Sequence, residues 1–188
     1  LLGVFPGTGI GGGCVYEGKL LRGKKGSAME IGHIPVRENS RLCGCGKRGC
    51  LEALAGRLAI SAEVAQAAYR GEAPYIATHA GSDLKKMKSG LLAKAIKAGD
   101  AVVARILGDA MRLLGRTIGG VVNLLAPDVI VLGGGLVEAM PQLVLKEVKA
   151  GVQETAMSSF TRQLNVRIAK LGDNATALGA AALAAEAR

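Results

Sequence analysis

A chain of 188 residues, 49% of them hydrophobic, can bury the core of one ordinary domain without cross-links. A formal net charge of +9 suits an anionic partner, but aromatics are only 3% of residues, which argues against the stacking platforms that hold single-stranded nucleic acid. No charge-free apolar run reaches the roughly 18 residues needed to cross a bilayer.

The chain opens on LLGVF, without Met, a charged leader or a helix cap. This reads as a buried strand entered midway, so an N-terminal part is expected to be missing, and the opening does not read as a secretory leader. PGTGIGGG then turns the chain, and CVY with the following KLL pair predicts a hairpin across Glu17 and Gly18. GHIPV predicts a further short strand. After a cysteine-rich loop, helical periodicity runs over residues 51–69, and residues 71–90 read as a loop with helical turns. The basic run at 85–97 reads as a solvated helix face. The clearest helix spans 101–125, where Val103, Leu107, Ala110, Leu114, Ile118, Val121 and Leu125 recur at threes and fours. Gly115, Gly119 and Gly120 weaken it locally and are expected to permit close packing. Pro127 ends it, VIVL at 129–132 is an apolar strand, and a helix is expected from the following glycines through residue 152. A strand at 165–169 and an Ala-rich helix, capped by Asp173 or Asn174, complete an α/β order.

Three of the four cysteines fall in one loop downstream of a histidine, in the pattern H-x9-C-x-C-x4-C. His33, Cys43, Cys45 and Cys50 are one borderline and three soft ligands, the set that tetrahedral zinc takes. Gly44, Gly46 and Gly49 let the short loop fold back on itself. With every position filled by protein, the metal would be structural. Unbound thiols are the alternative, as is Cys14 in place of His33. Close cysteine spacing without export signals favours a reducing, cytoplasmic setting over disulfides.

Two carboxylates flank this loop. Glu30 lies three residues before His33, and Glu52 two after Cys50. A metal-bound imidazole keeps one N–H to donate, and a donor between two acceptors matches the vicinal hydroxyls of a sugar. Both glutamates as partners of the metal ligands, or as plain surface residues, is the competing reading. The GTG of Gly7, Thr8 and Gly9 follows a strand, and successive backbone N–H groups there can form an anion nest to which Thr8 adds a hydroxyl. No GK[ST] follows, which excludes a Walker A loop. Gly133 and Gly134 sit between a strand and a helix, a weaker signal of the same kind.

Taken together, PGTGIGGGCVYEGKLLRG, EIGH, CGCGKRGCLE and VNLLAPDVIVLGGGL…LGDNATALGAAALA resemble the ROK family (repressor, open reading frame, kinase) over essentially the whole chain, and most of all the C-terminal part of its glucokinases. The resemblance implies the C-terminal lobe of an actin-like, ribonuclease-H-like ATPase fold. It implies sugar contacts from Glu30, His33 and Glu52, and zinc on His33, Cys43, Cys45 and Cys50. Phosphate would be held by Gly7, Thr8 and Gly9, and adenosine would lie beside Gly133 and Gly134. The implied activity is phosphoryl transfer from ATP, with Mg²⁺, to the 6-hydroxyl of a hexose such as glucose. The family's DxGxT-like loop and its catalytic Asp, which precede GTGIGGG, do not occur in these residues, so no catalytic residue is assigned here. Met29 stands where a small residue or Gly often precedes the Glu. A homo-oligomer is expected through this lobe, and no membrane. The alternative is the sugar-sensing lobe of a ROK transcriptional repressor, with DNA as its further partner; a zinc-stapled domain without ligand is a third reading.

Overall fold

The computed structural model describes residues 1–186. A five-stranded sheet in the order β3-β2-β1-β4-β5 carries the site at one end. Its central strand, β1 (Leu2–Pro6), buries Leu2 and Val4 completely. It pairs antiparallel with β2 (Ile10–Tyr16), Leu2 opposite Cys14 and Pro6 opposite Ile10. The hairpin to β3 (Lys19–Leu20) turns where expected, with φ of 49° at Glu17 and 75° at Gly18, the pair of positive values that matches strand twist in a two-residue turn. On its other side β1 runs parallel to β4 (Val129–Leu132), and β4 runs parallel to β5 (Asn165–Ile168). Gly11, Gly12 and Gly13 belong to β2 rather than to the turn, which is only Gly7–Gly9.

Helices α1 (Leu51–Ala55), α2 (Arg57–Tyr69), α3 (Pro74–His79) and α4 (Ser89–Lys97) lead into α5 (Ala101–Leu125). The last has the predicted bounds, because apolar side chains at threes and fours form one stripe that buries Val103, Leu107, Met111, Leu114, Ile118 and Val122. Asp100 caps it, one carboxylate oxygen accepting from the Val103 N–H at 3.3 Å. Ala126, in the left-handed region with φ 42°, and then Pro127 end it. α6 (Gly135–Ala139), α7 (Pro141–Thr155), α8 (Ser158–Thr161) and α9 (Ala175–Glu186) complete the described chain.

α5 and α7 form the most extensive helix pair, and glycine makes it close. A Cβ on Gly115 would overlap the Val148 carbonyl, and one on Gly151 would overlap the Arg112 carbonyl. Gly119 also faces α7, at Thr155, whereas Gly120 meets nothing within 4 Å, so close packing explains two of the three glycines expected to serve it. Along the rim, Arg112 binds Glu147 at 2.6 Å and Glu154 at 2.5 Å, and Arg116 binds Glu154 at 2.6 Å. Arg116 foremost, then Arg112, holds the Glu154 carboxyl below its ordinary range.

Several expected elements differ. GHIPV is not a strand. Ile31–His33 is a single 3₁₀ turn, because the N–H groups of Ile31 and His33 bond back to Met29 and Glu30, and only Pro35 bridges to Cys50. The helix expected over 51–69 breaks at Gly56, whose ψ of 155° is extended. The helix expected through 152 breaks at Met140, because Pro141 has no N–H with which to continue it. Of the basic run, Lys85, Lys86 and Lys88 lie in the loop before α4; only Lys94 and Lys97 stand on its exposed face.

The α5–α7 contact yields a paired prediction. Gly151→Ala should destabilise the chain by about 1–3 kcal/mol through overpacking, whereas Gly120→Ala, in open space, should stabilise it by roughly 0.5–1 kcal/mol. Thermal unfolding of the two variants should move Tm in opposite directions; equal shifts would reject the glycine-mediated contact.

Candidate functional site

The loop between the 3₁₀ turn and α1 carries little apolar surface. Leu42 is 64% exposed, and its neighbours Arg37, Glu38, Asn39, Lys47 and Arg48 lie in solvent. Backbone bonds fold it: Gly49 donates to the Arg41 carbonyl, and its own carbonyl accepts from Val36 and Arg37. Gly49 has φ 76°, and a Cβ there would overlap the Arg37 carbonyl, so no other residue fits.

This folding brings one atom each of His33, Cys43, Cys45 and Cys50 within 4.8 Å of one another. His33 Nδ1 stands 3.5 Å from Cys43 Sγ, and Cys45 Sγ stands 3.6 Å from Cys50 Sγ. Zn–S bonds of about 2.3 Å at tetrahedral angles put sulfurs about 3.7 Å apart, a spacing that the Cys45–Cys50 pair matches, so the cluster is compatible with a zinc site. Cys14 is not in it; its side chain is buried on β2 opposite Leu2, and the alternative ligand set is thereby set aside. The thiols differ in environment. Burial pushes Cys50 up to about 12, whereas a hydrogen bond from the Lys47 backbone lowers the exposed Cys45. These four residues would hold zinc, which supplies a cross-link to the loop when bound and has no open position for chemistry.

Both flanking carboxylates border the cluster. With Nδ1 turned to the cysteines, His33 Nε2 lies 3.9 Å from Glu30. Glu52, in the first turn of α1, is tied at both ends: Oε2 accepts from the Ile10 N–H at 2.9 Å, and Oε1 lies 4.0 Å from Cys43 Sγ. Ile10 opens β2, directly after the GTG loop. The loop expected to hold phosphate and an acid expected to hold sugar are therefore directly linked. A Cβ on Gly9 would overlap the Glu52 carboxylate, so Gly9 is the residue that lets the acid lie against the loop. Any larger residue at position 9 would therefore displace Glu52.

The loop itself is clamped by the break in the helix. Gly56 interrupts α1 and α2, and the freed N–H groups at the start of α2 bond outward, Arg57 to the Gly7 carbonyl at 3.0 Å and Leu58 to the Thr8 carbonyl at 3.5 Å. Arg57 also donates to Thr8 Oγ1 at 2.9 Å. Among the described residues no protein acceptor takes the Thr8 or Gly9 N–H. Gly133 and Gly134 join this end of the sheet: Gly133 donates to Val4 at 3.1 Å, and Gly134 (φ 91°) lies against the Pro6 carbonyl. Both glycine segments thus stand at the carboxyl ends of the parallel strands β1 and β4, where α/β sheets bind ligands. Sequence reasoning missed Arg57 and the Ile10 amide, since periodicity runs straight through Gly56 and a backbone donor leaves no trace in composition.

If the cluster is a zinc site, chain purified without added metal carries one zinc per molecule by elemental analysis. Cys43→Ser and Cys50→Ser should lose the metal and lower Tm, and protein that is metal-free yet equally stable would count against the ligand set.

Comparison with known proteins places these features. The chain is 33% identical over 180 residues to a glucokinase of Thermotoga maritima, an alignment that covers 96% of this chain and 56% of that protein. It is 32% identical over 184 residues to a putative xylose repressor of a Caldicellulosiruptor species, covering 97% of this chain and 45% of the repressor. The crystal structure of a ROK family glucokinase from Streptomyces griseus, in complex with glucose and AMPPNP, superposes with a TM-score of 0.85 at 29% identity, over 97% of this chain and 59% of that one. The fold is thus the expected actin-like lobe, and the chain spans about half the length of the curated relatives it matches. The family profile described as ROK family matches residues 1–187, and the chain belongs to the ROK family.

Proposed function

We propose that this chain is the C-terminal lobe of a sugar kinase that transfers phosphate from ATP to a hexose, glucose at its 6-hydroxyl being the substrate the reading favours. The observation that carries it is the Glu52 carboxylate, which touches the cysteine–histidine cluster with one oxygen and the backbone of the GTG loop with the other. Phosphoryl transfer rests on positioning and charge stabilisation, so a group that fixes the sugar side relative to the phosphate side has a direct use. In this reading Glu30, His33 and Glu52 hold the sugar hydroxyls. Gly7, Thr8 and Gly9 hold the phosphates through N–H groups and a hydroxyl, and Gly133 and Gly134 lie along the adenosine. His33 donates from Nε2 while Nδ1 faces the metal position. Mg²⁺ would neutralise phosphate charge when the nucleotide is bound. The base that takes the hydroxyl proton comes from an N-terminal lobe, since these residues lack the family's Asp.

The repressor reading has one observation in its favour, the similarity to a repressor at nearly the same identity as to a kinase. The upstream coding sequence separates them. An Asp ahead of GTGIGGG with a DxGxT-like loop supports the kinase, and a helix-turn-helix supports the repressor.

Two outcomes are expected. In protein expressed with its upstream sequence, Glu30→Gln and Glu52→Gln should each weaken hexose binding about ten- to a hundredfold, as lost hydrogen bonds to charged groups do; unchanged affinity in both would remove them from the sugar site. The 188-residue chain alone should unfold cooperatively yet show no glucose phosphorylation in a coupled assay. Loss of a general base alone costs about 10²–10⁴-fold in rate. Robust turnover by the isolated chain would mean that a carboxylate such as Glu30 or Glu52 supplies the base.

A further inference from the structure

We propose that Arg57 binds the phosphate chain of the nucleotide, as a cation built into the Gly7–Gly9 loop; this rests on the kinase reading and adds a residue to its site. Arg57 is the first residue of α2, placed by the break at Gly56 directly against the loop. Its backbone N–H is spent on Gly7, and its guanidinium reaches Thr8 Oγ1 at 2.9 Å and the Met87 carbonyl at 3.4 Å. Both side-chain acceptors are neutral. Among the described residues no carboxylate lies within ion-pair distance of Arg57, whereas Arg41, Arg112 and Arg116 are paired with Glu63, Glu147 and Glu154. A guanidinium has five N–H donors in a rigid fork, and two contacts leave the rest of the fork open.

The neighbouring donors are open too. Thr8 Oγ1 accepts from Arg57, which turns its own hydroxyl proton elsewhere. The N–H groups of Thr8 and Gly9 have no protein acceptor among the described residues. Hydroxyl, two amides and guanidinium therefore gather at one loop, and the one carboxylate against it, Glu52, accepts from Ile10 and from none of these four groups. The Glu52 carboxylate beneath Gly9 makes the need for a cation sharper, because its charge opposes phosphate at this place. Exposed Lys86 and Lys88 flank Met87 in the chain, the residue whose carbonyl holds Arg57, and add positive charge to this part of the surface. A charge-assisted fork on an oxyanion is the strongest contact such a set can make.

The test uses protein expressed with its upstream coding sequence, as wild type, Arg57→Gln and Arg57→Lys. Calorimetry measures ATP, inorganic tripolyphosphate, adenosine and glucose. Glutamine keeps a donor for Thr8 and removes the charge; lysine keeps the charge and loses the fork. Arg57→Gln should weaken ATP and tripolyphosphate about ten- to a hundredfold, Arg57→Lys by less, with adenosine and glucose unchanged. Equal weakening of adenosine and ATP would overturn the inference, because it would mean that Arg57 acts only by holding Thr8. ATP affinity unchanged in Arg57→Gln would overturn it while leaving the kinase reading intact. A wild-type protein that binds glucose but neither ATP nor tripolyphosphate would overturn both.

Discussion

The hydrogen bond from the Ile10 amide to Glu52 closes a circuit on which the site depends. Glu52 follows Cys50 by two residues, so its position is set by the cysteine loop; Ile10 follows Gly9 by one, so its position is set by the glycine loop. The next turn of chain completes the ring, since the break at Gly56 delivers the Arg57 and Leu58 N–H groups to the carbonyls of Gly7 and Thr8. A hydrogen bond to a charged acceptor contributes about 1.5–3 kcal/mol, enough to hold one loop in register with the other but not to order either from a disordered state. Each loop therefore needs its own source of order, and the two sources differ.

For the glycine loop the source is the sheet. β1 enters it with Leu2 and Val4 fully buried and β2 leaves it with Ile10 buried, so the loop spans two strands already fixed by the core. The cysteine loop is anchored by Ile31 and Leu51 at its ends, but little of the longer stretch between them packs on the core. Only Cys43, Gly49 and Cys50 are buried between residues 41 and 50, and the side chains that would have to pack are charged. A metal held by the four converging atoms would supply what apolar burial does not. The two supports are separable, because the α5–α7 layer and the sheet contain none of the cluster's ligands.

Met29 shows how closely the two regions are fitted. It adopts φ 70°, a conformation that costs an ordinary residue about 1–2 kcal/mol. The residue before Glu30 turns in this way as the chain enters the 3₁₀ turn that carries His33, so glycine, which has no Cβ, would relieve the strain there.

The sequence by itself determined the elements whose burial is repetitive. α5 was legible to the residue because a stripe at threes and fours over 25 residues admits one packing, and the Glu17-Gly18 hairpin because few residues accept two positive φ values in succession. The convergence of His33, Cys43, Cys45 and Cys50 was legible because a metal would demand those particular atoms, whatever surrounds them. Tertiary structure alone decided the rest. Periodicity runs unbroken through Gly56 and through Met140, yet the chain breaks there, at Gly56 because loop carbonyls take the helix's first N–H groups and at Met140 because proline follows. GHIPV alternates like a strand but has no strand edge to join. The contact of Glu52 with Ile10, and the place of Arg57 beside Thr8, join residues 42 and 49 positions apart through a backbone amide and a hydroxyl. Local sequence records what a residue is, whereas these contacts depend on which backbone groups the fold leaves without partners, and that is settled only when the sheet, the cysteine loop and the broken helix meet.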